Sequence, residues 1–273
     1  MIKKGIILAG GKGTRMSPLT KAVNKQLLPI HDKPLIFYPL SILMLAGIKE
    51  VLIIVNQGQL EQYKKIIPDG KNFGMKIDYI EQKNPNGLPE AFILGEKFIK
   101  NQNVCLILGD NFFYGQNLTK ILRSCTKLKN GAKVLLHRVN KPENFGIAKV
   151  IGKKIKNIKE KPKKFISDLA ITGLYFFDKK VCKFAKQLKP SKRGEIEIVD
   201  LLNKYLKDKK LSAELIGRGG AWLDTGSIED FYKTSAFVSA IENRQGFKIA
   251  CLEEIAFNNK WINKKQLLRA VKL

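Results

Sequence analysis

The chain has 273 residues, enough for one large α/β domain, and its 44% hydrophobic content supports a proper core. Its longest apolar runs, 51–55 and 104–108, are strand-sized, so no membrane span is predicted, and residues 1–4 lead straight into a strand without a signal-peptide pattern, which points to the cytoplasm. Fifty basic against 24 acidic residues leave a formal charge of +26, the strongest argument for a nucleic-acid partner. Against it, the lysines are spread along the whole chain. The densest cluster, 153–164, alternates with isoleucine like the wet face of a hairpin, and no aromatic stripe accompanies it. The excess reads as compositional bias that attracts anions generally, with no dedicated nucleic-acid site.

In chain order, Gly5-Ile6-Ile7-Leu8-Ala9 reads as a buried parallel strand running into the glycine-rich Gly10-Gly11-Lys12-Gly13-Thr14-Arg15. A helix is predicted over 39–46, closed by Gly47, then a strand over 51–55, a helix over 60–67 ending at Pro68, and a strand over 75–81. Asn84-Pro85-Asn86-Gly87 is a turn. Pro89 opens a helix towards Lys100, with Glu90 in its first turn, and the strand 104–108 stops at Gly109-Asp110-Asn111. This β–α–β alternation predicts a parallel sheet with helices on both faces, and ligands beyond the carboxyl ends of its strands. The second half is strand-rich: 133–139, 147–151, 155–159 and 170–177, with a tight turn at Gly152-Lys153. Helices over 179–187 and 196–207, a strand over 211–216 and a long helix over 228–243 follow. No linker-like stretch and no repeat divides the chain, so it reads as one domain. Its 1–130 half holds nucleotide, a continuous lobe lies at 131–245, and a helical segment at 246–273 ends it.

Cys105, Cys125, Cys182 and Cys251 match no zinc spacing and read as free buried thiols. His31 and His137 lack a nearby metal-type partner in sequence and read as structural.

The glycine-rich loop carries the first chemistry. Without side chains in the way, backbone N–H groups at Gly10, Gly11, Gly13 and Thr14 can wrap a polyphosphate, and Arg15 and Lys25 bring cations to the same place. The loop is not a P-loop, because Thr14-Arg15 follows Gly13 where Lys-Ser/Thr would be required. It is not a dinucleotide fingerprint either, because Met16 occupies the last small position. Asp110, at the tip of an apolar strand, is a metal-ligand candidate. Taken alone, such an aspartate is more often a turn or cap residue.

The run from Gly10 to Leu40 resembles the signature of the sugar-phosphate nucleotidyltransferases, in detail the glucose-1-phosphate thymidylyltransferase branch, and the likeness recurs to about residue 270. It implies a Rossmann-like, mixed but mostly parallel sheet flanked by helices, with an integrated sugar-binding lobe. It also implies attack by glucose 1-phosphate on the α-phosphorus of dTTP, giving dTDP-glucose and pyrophosphate. Two anions must meet in such a reaction, so positioning, cations and a metal carry it. The resemblance makes Asp110 and Asp224, in Ala221-Trp222-Leu223-Asp224-Thr225-Gly226, the ligands of Mg²⁺, a cation that takes few carboxylates plus phosphate and water oxygens. It places Gln26, Gln82 and Gly87 on base and deoxyribose. Lys161 and Arg193 fall on the sugar phosphate, and Glu160, Asn111, Gly146, Ile171 and Thr172 around the hexose; Arg15, Lys25, Asp110 and Lys161 form the catalytic set. Trp222 reads as core rather than as a sugar platform. The family habit implies a homotetramer. It also implies a second, regulatory nucleotide-sugar site, echoed by Gly217-Arg218, Cys251 and Glu254-Ile255, with Gly220, Asn258 and Asn259 departing from the pattern. The chain ends at Leu273, short of the family's expected length. A glutamine amide reads thymine and uracil by the same edge, so a uridylyltransferase stays open as the alternative, as does a non-catalytic nucleotide-sugar or nucleic-acid binding module.

Overall fold

A computed structural model describes residues 1–270 apart from Lys12, Lys153, Lys192 and Arg193. In chain order the elements are β1 (Lys4–Ala9), β2 (Pro29–Ile30), β3 (Lys33–Pro34), α1 (Phe37–Leu45), β4 (Glu50–Asn56), α2 (Leu60–Ile66), β5 (Lys76–Gln82), α3 (Glu90–Leu94), α4 (Glu96–Ile99) and β6 (Val104–Leu108). There follow β7 (Asn111–Gly115), α5 (Leu118–Cys125), β8 (Ala132–Arg138), β9 (Gly146–Ile151), β10 (Lys154–Glu160), β11 (Leu169–Phe177), α6 (Val181–Ala185), α7 (Ile198–Lys207), β12 (Leu211–Leu215), β13 (Gly220–Asp224), α8 (Ile228–Gln245), α9 (Leu252–Asn258) and α10 (Lys264–Ala270).

Strands β5, β4, β1 and β6 lie side by side in parallel, in that spatial order. Strand β11 joins β6 antiparallel and hands the sheet on to β8, β9 and β10, so the first half of the chain and the 131–245 segment share one mixed sheet. The order reverses at β1: β4 lies on one side, β6 on the other. The crevice beyond the carboxyl ends of β1 and β6 is therefore the topological switch point, where such sheets bind ligands.

The central strands read as continuous apolar runs because both faces are covered. Ile7, Ile53 and Ile107 face a core shared with α1, α5 and α9, whereas Ile6, Leu52 and Leu106 face one shared with α3, α6 and α7. A third apolar cluster joins Met16, Ile30, Leu35 and Tyr38 to Phe112 on β7 and to Phe231 and Val238 on α8.

Several elements differ from expectation. The helix predicted from Pro89 breaks at Gly95, where a Cβ would lie 2.8 Å from the Ala91 carbonyl oxygen. The helices predicted over 179–187 and 196–207 are shorter, at Val181–Ala185 and Ile198–Lys207. Strands β7 and β13 are not foreseen at all. They form a separate antiparallel ribbon pairing Asp224 with Asn111 and Gly220 with Gly115, and the Gly115–Gly220 approach leaves no room for a Cβ. Lys153 of the expected turn lies outside the described residues.

Candidate active site

The glycine loop leaves β1 and is pinned to β4. The Gly11 N–H donates to Asn56 Oδ1 at 2.9 Å, and Asn56 Nδ2 donates to the Gly11 carbonyl at 2.8 Å. Gly11 sits at φ 103° and Gly13 at φ 58°, both in the region that favours glycine. Thr20 Oγ1 donates to the Gly13 carbonyl at 2.8 Å, closing the loop from its far side. Buried Asn24 caps the turn that carries Lys25 and Gln26: its Oδ1 accepts from the Gln26 N–H at 3.1 Å, and its Nδ2 donates to Gln59 Oε1 at 2.6 Å. Asn24, Asn56 and Thr20 had no signal in the sequence, because each acts on backbone or side chains that only the fold brings near.

Two cavities share Gly10, Gly11, Gln26 and Asp110. One of about 240 Å³ is lined also by Gly13, Thr14, Arg15, Lys25 and Gly226. The other, about 180 Å³, is lined also by Leu8, Gln82, Gly87 and Leu108. The first is polar and cationic; the second is walled by leucines and glutamine amides. Gly87, at φ 118°, lies against Ile196: a Cβ there would be 2.2 Å from the Ile196 carbonyl oxygen. The Ile196 N–H donates to the Asn86 carbonyl at 2.8 Å, so the 84–88 turn and residues 195–196 close together on the cavity. Arg193, expected on the sugar phosphate, lies outside the described residues.

The carboxylates come together through the unforeseen ribbon. Asp110 precedes β7 and Asp224 ends β13, opposite Asn111. Thr225 clasps the pair, donating its N–H at 3.0 Å and its hydroxyl at 2.8 Å to the Asp110 carbonyl. Lys25 Nζ lies 2.6 Å from Asp110 Oδ2, and Asn111 Nδ2 donates to Asp110 Oδ1 at 3.0 Å. Burial works against the Asp110 charge, but Lys25 and the Asn111 amide outweigh it and hold this carboxyl below its ordinary range. Asp224 goes the other way. Burial first, then the Asp110 carboxylate, push it up to about 7 against the pull of Lys25 and Arg15. The Arg15 guanidinium lies over Gly226, where a Cβ would be 2.8 Å from its Nη2. Two half-buried carboxylates, only one with a lysine on it, form an all-oxygen donor set with an unmet demand for positive charge, which fits a hard divalent cation.

The residues expected around the sugar follow from β9, β10 and β11. A Cβ on Gly146 would lie 3.1 Å from Glu160 Oε2, so Gly146 and Glu160 adjoin across the β9–β10 pair. Lys161 follows β10 at φ 40° and donates its N–H to the Phe145 carbonyl at 3.0 Å. Glu160 and Lys161 line a cavity of about 590 Å³ with Glu197 and Asp200. Ile171 is buried, and Thr172 turns its hydroxyl to the Leu135 carbonyl at 3.1 Å, so that position can offer a ligand backbone only. Asn111, 2% exposed, is committed to the protein: its Oδ1 accepts from the Gly173 N–H at 3.0 Å and from Trp222 Nε1 at 2.6 Å. Trp222 is core, packed on Phe145 at 5.2 Å between ring centres. Tyr175 was missed by sequence reasoning. It is a core residue, stacked with Phe177, and burial, then the charges of Glu160, Asp110 and Asp224, raise its hydroxyl.

Two other readings change. His31 does have carboxylate neighbours: its Nε2 is 3.8 Å from Glu242 Oε2, and His31, Asp32 and Glu242 cluster. Lysines already hold both carboxylates, Lys248 at 2.6 Å from Asp32 and 2.7 Å from Glu242. Cys105, Cys125 and Cys182 are free and buried as expected, whereas Cys251 is half-buried and lines a groove of about 490 Å³ with Glu254, Ile255 and Asn258.

Residues 4–241 match the family described as nucleotidyl transferase. The chain belongs to the nucleotidyl transferase family. Within that family it is 51% identical over 265 residues to a glucose-1-phosphate thymidylyltransferase of Neisseria meningitidis, covering 97% of this chain and 92% of the relative. A Bacillus anthracis protein assigned to the glucose-1-phosphate thymidylyltransferases, crystallised with sucrose, superimposes with a TM-score of 0.80 at 39% identity, covering 86% of this chain and 94% of that one. UDP-glucose pyrophosphorylase in complex with UDP-glucose gives a TM-score of 0.77 at 29% identity, covering 90% and 100%. The nucleotidyltransferase fold thus carries both nucleotide classes. No helix among the described residues is long and apolar enough to cross a membrane.

Proposed function

We propose that the protein transfers a thymidylyl group from dTTP to glucose 1-phosphate, giving dTDP-glucose and pyrophosphate, as the 51%-identical relative is named for doing. The observation that carries the reading is that the two cavities share Gly10, Gly11, Gln26 and Asp110, so that a largely apolar end for the base and a cationic end for the triphosphate meet at Asp110, beside Asp224. The backbone of Gly10, Gly11, Gly13 and Thr14 holds the triphosphate. Arg15 and Lys25 neutralise it and stabilise the charge that builds on the departing pyrophosphate. Asp110 and Asp224 would hold Mg²⁺, which would supply charge neutralisation at the α-phosphate. Gln26, Gln82 and Gly87 receive the base and deoxyribose. Lys161 and Arg193 orient the sugar phosphate, while Glu160 and the backbone of Gly146, Ile171 and Thr172 line the hexose; Asn111 stands behind them, its side chain held by Gly173 and Trp222. In this reading the 131–245 segment is the sugar lobe of a single domain.

We place the reaction in the cytoplasm, where the free thiols stay reduced. The assembly is a homotetramer by family habit, and the exposed rings of Tyr232 and Phe247 give it apolar surface to cover. Pyrophosphate release with glucose 1-phosphate tests the activity, comparing dTTP with UTP, each with and without EDTA. Release with dTTP that EDTA abolishes is expected. Faster release with UTP would make the protein a uridylyltransferase, and none with either, from folded protein, would leave a binding module.

A further inference from the structure

Glu90, the first residue of α3, does not line the base cavity, yet it governs a residue that does. Its carboxylate accepts three hydrogen bonds: from Gln82 Nε2, from the Asn86 N–H at 3.1 Å and from Asn86 Nδ2 at 2.8 Å. An ionised carboxylate only accepts. Gln82 therefore has to show it the NH₂ end of its amide, because the flipped amide would set Oε1 against a negative charge. The other end, Oε1, is turned over Gly10, 2.7 Å from where a Cβ on that glycine would stand, and both residues line the base cavity. Among the described residues Gln82 Oε1 accepts no hydrogen bond. Gln26, which lines the same cavity, also has an Oε1 that is buried and without a partner among the described residues. A base that enters must bring donors.

We infer that Glu90 is a positioning residue for base choice: it locks the Gln82 amide with its acceptor towards the base, so that the site takes pyrimidines with an N3–H and rejects cytosine. The inference rests on the nucleotidyl-transfer reading above. Thymine and uracil carry a proton on N3, whereas cytosine presents a lone pair there, which would confront Gln82 Oε1 and leave it unpaired. Sites built on a buried hydrogen bond reject the ligand that cannot make it more strongly than sites built on shape. Glu90→Gln removes the lock and keeps part of the support. With its oxygen at the Oε1 position the new amide still accepts from Asn86 Nδ2, and with its NH₂ at the Oε2 position it can donate to a flipped Gln82, giving up only the bond from the Asn86 N–H.

The test is steady-state pyrophosphate release at saturating glucose 1-phosphate with dUTP and dCTP, which share the sugar and lack the 5-methyl group. In Glu90→Gln the ratio of kcat/KM for dUTP over dCTP should fall about tenfold or more, the weight of roughly one hydrogen bond. KM for glucose 1-phosphate should stay unchanged. In a Gln82→Ala background the same substitution should leave the ratio where it was, since there is no amide to turn. An unchanged ratio in Glu90→Gln, or an equal change with Gln82 absent, would overturn the lock. Wild-type protein that releases no pyrophosphate with dTTP, dUTP or UTP would instead overturn the transferase reading and take the lock with it.

Discussion

Two regions of this molecule gather carboxylates and lysines, and they resolve the charge in opposite ways. At the β2–β3 turn, Lys33 and Lys248 are shared between Asp32 and Glu242, and the Ile249 N–H donates to Glu242 Oε1 at 2.8 Å. Burial raises the cost of charge on both acids, but these lysines outweigh it and hold both below their ordinary range. At the cleft, one lysine serves two aspartates, and Asp224 is left pushed up to about 7. A cluster whose charges are all matched bolts the hairpin to the end of α8. A cluster left one cation short is a place for a ligand, and titratable groups perturbed in that way concentrate at functional sites.

The largest expected effect is at the unmatched acid. Asp224→Asn should cut turnover by roughly 10²–10³ or more, as for removal of a main electrostatic contributor to the transition state. The same variant should melt higher than wild type at pH 8 without metal, because it deletes a repelled charge. Arg15→Ala, which leaves the Gly226 side of the phosphate cavity bare, should lose roughly 10²–10³ in turnover with no comparable loss of stability. Glu242→Gln should do the reverse: about 2 kcal/mol of stability lost, from charge-assisted hydrogen bonds to a side chain only 3% exposed, with kcat retained. Denaturant melts beside initial rates separate these cases.

The smallest effect is a pH signature with two signs. Asp32 and Glu242 have lowered pKa values in the fold, so their contribution is present above the ordinary carboxylate range and is lost as pH falls through their folded values. Asp224 is raised, so its proton favours the fold at low pH, and stability is lost as pH rises from about 4 to about 7. Melting curves of metal-free wild type and Asp224→Asn should therefore diverge over that interval, and Mg²⁺ should close the gap. Parallel curves would place Asp224 in an ordinary environment.

What the sequence shows and hides follows the same division. The strand Gly5–Ala9, its glycine turn and Asp110 at the end of 104–108 were legible, because apolar runs and turn residues are local signals, and the parallel order made them converge. The meeting of Asp110 with Asp224 was available only through resemblance, since it depends on β7 pairing with β13 across half the chain. Asn111 pointed to the sugar by resemblance, yet its side chain holds Gly173 and Trp222. Glu90 looked like a first-turn acid of a helix, and only the fold shows the Gln82 amide on it. The supports Asn24 and Asn56 were silent for the same reason: a lone asparagine has no pattern until its partners are placed.

The most direct measurement runs pyrophosphate release from dTTP and glucose 1-phosphate, with Mg²⁺, on wild type, Asp224→Asn and Glu242→Gln side by side, with a denaturant melt of each. The account predicts that Asp224→Asn is folded and nearly silent while Glu242→Gln is weakened in stability and still turns over. Near-normal turnover in Asp224→Asn, or a silent but fully stable Glu242→Gln, would contradict it.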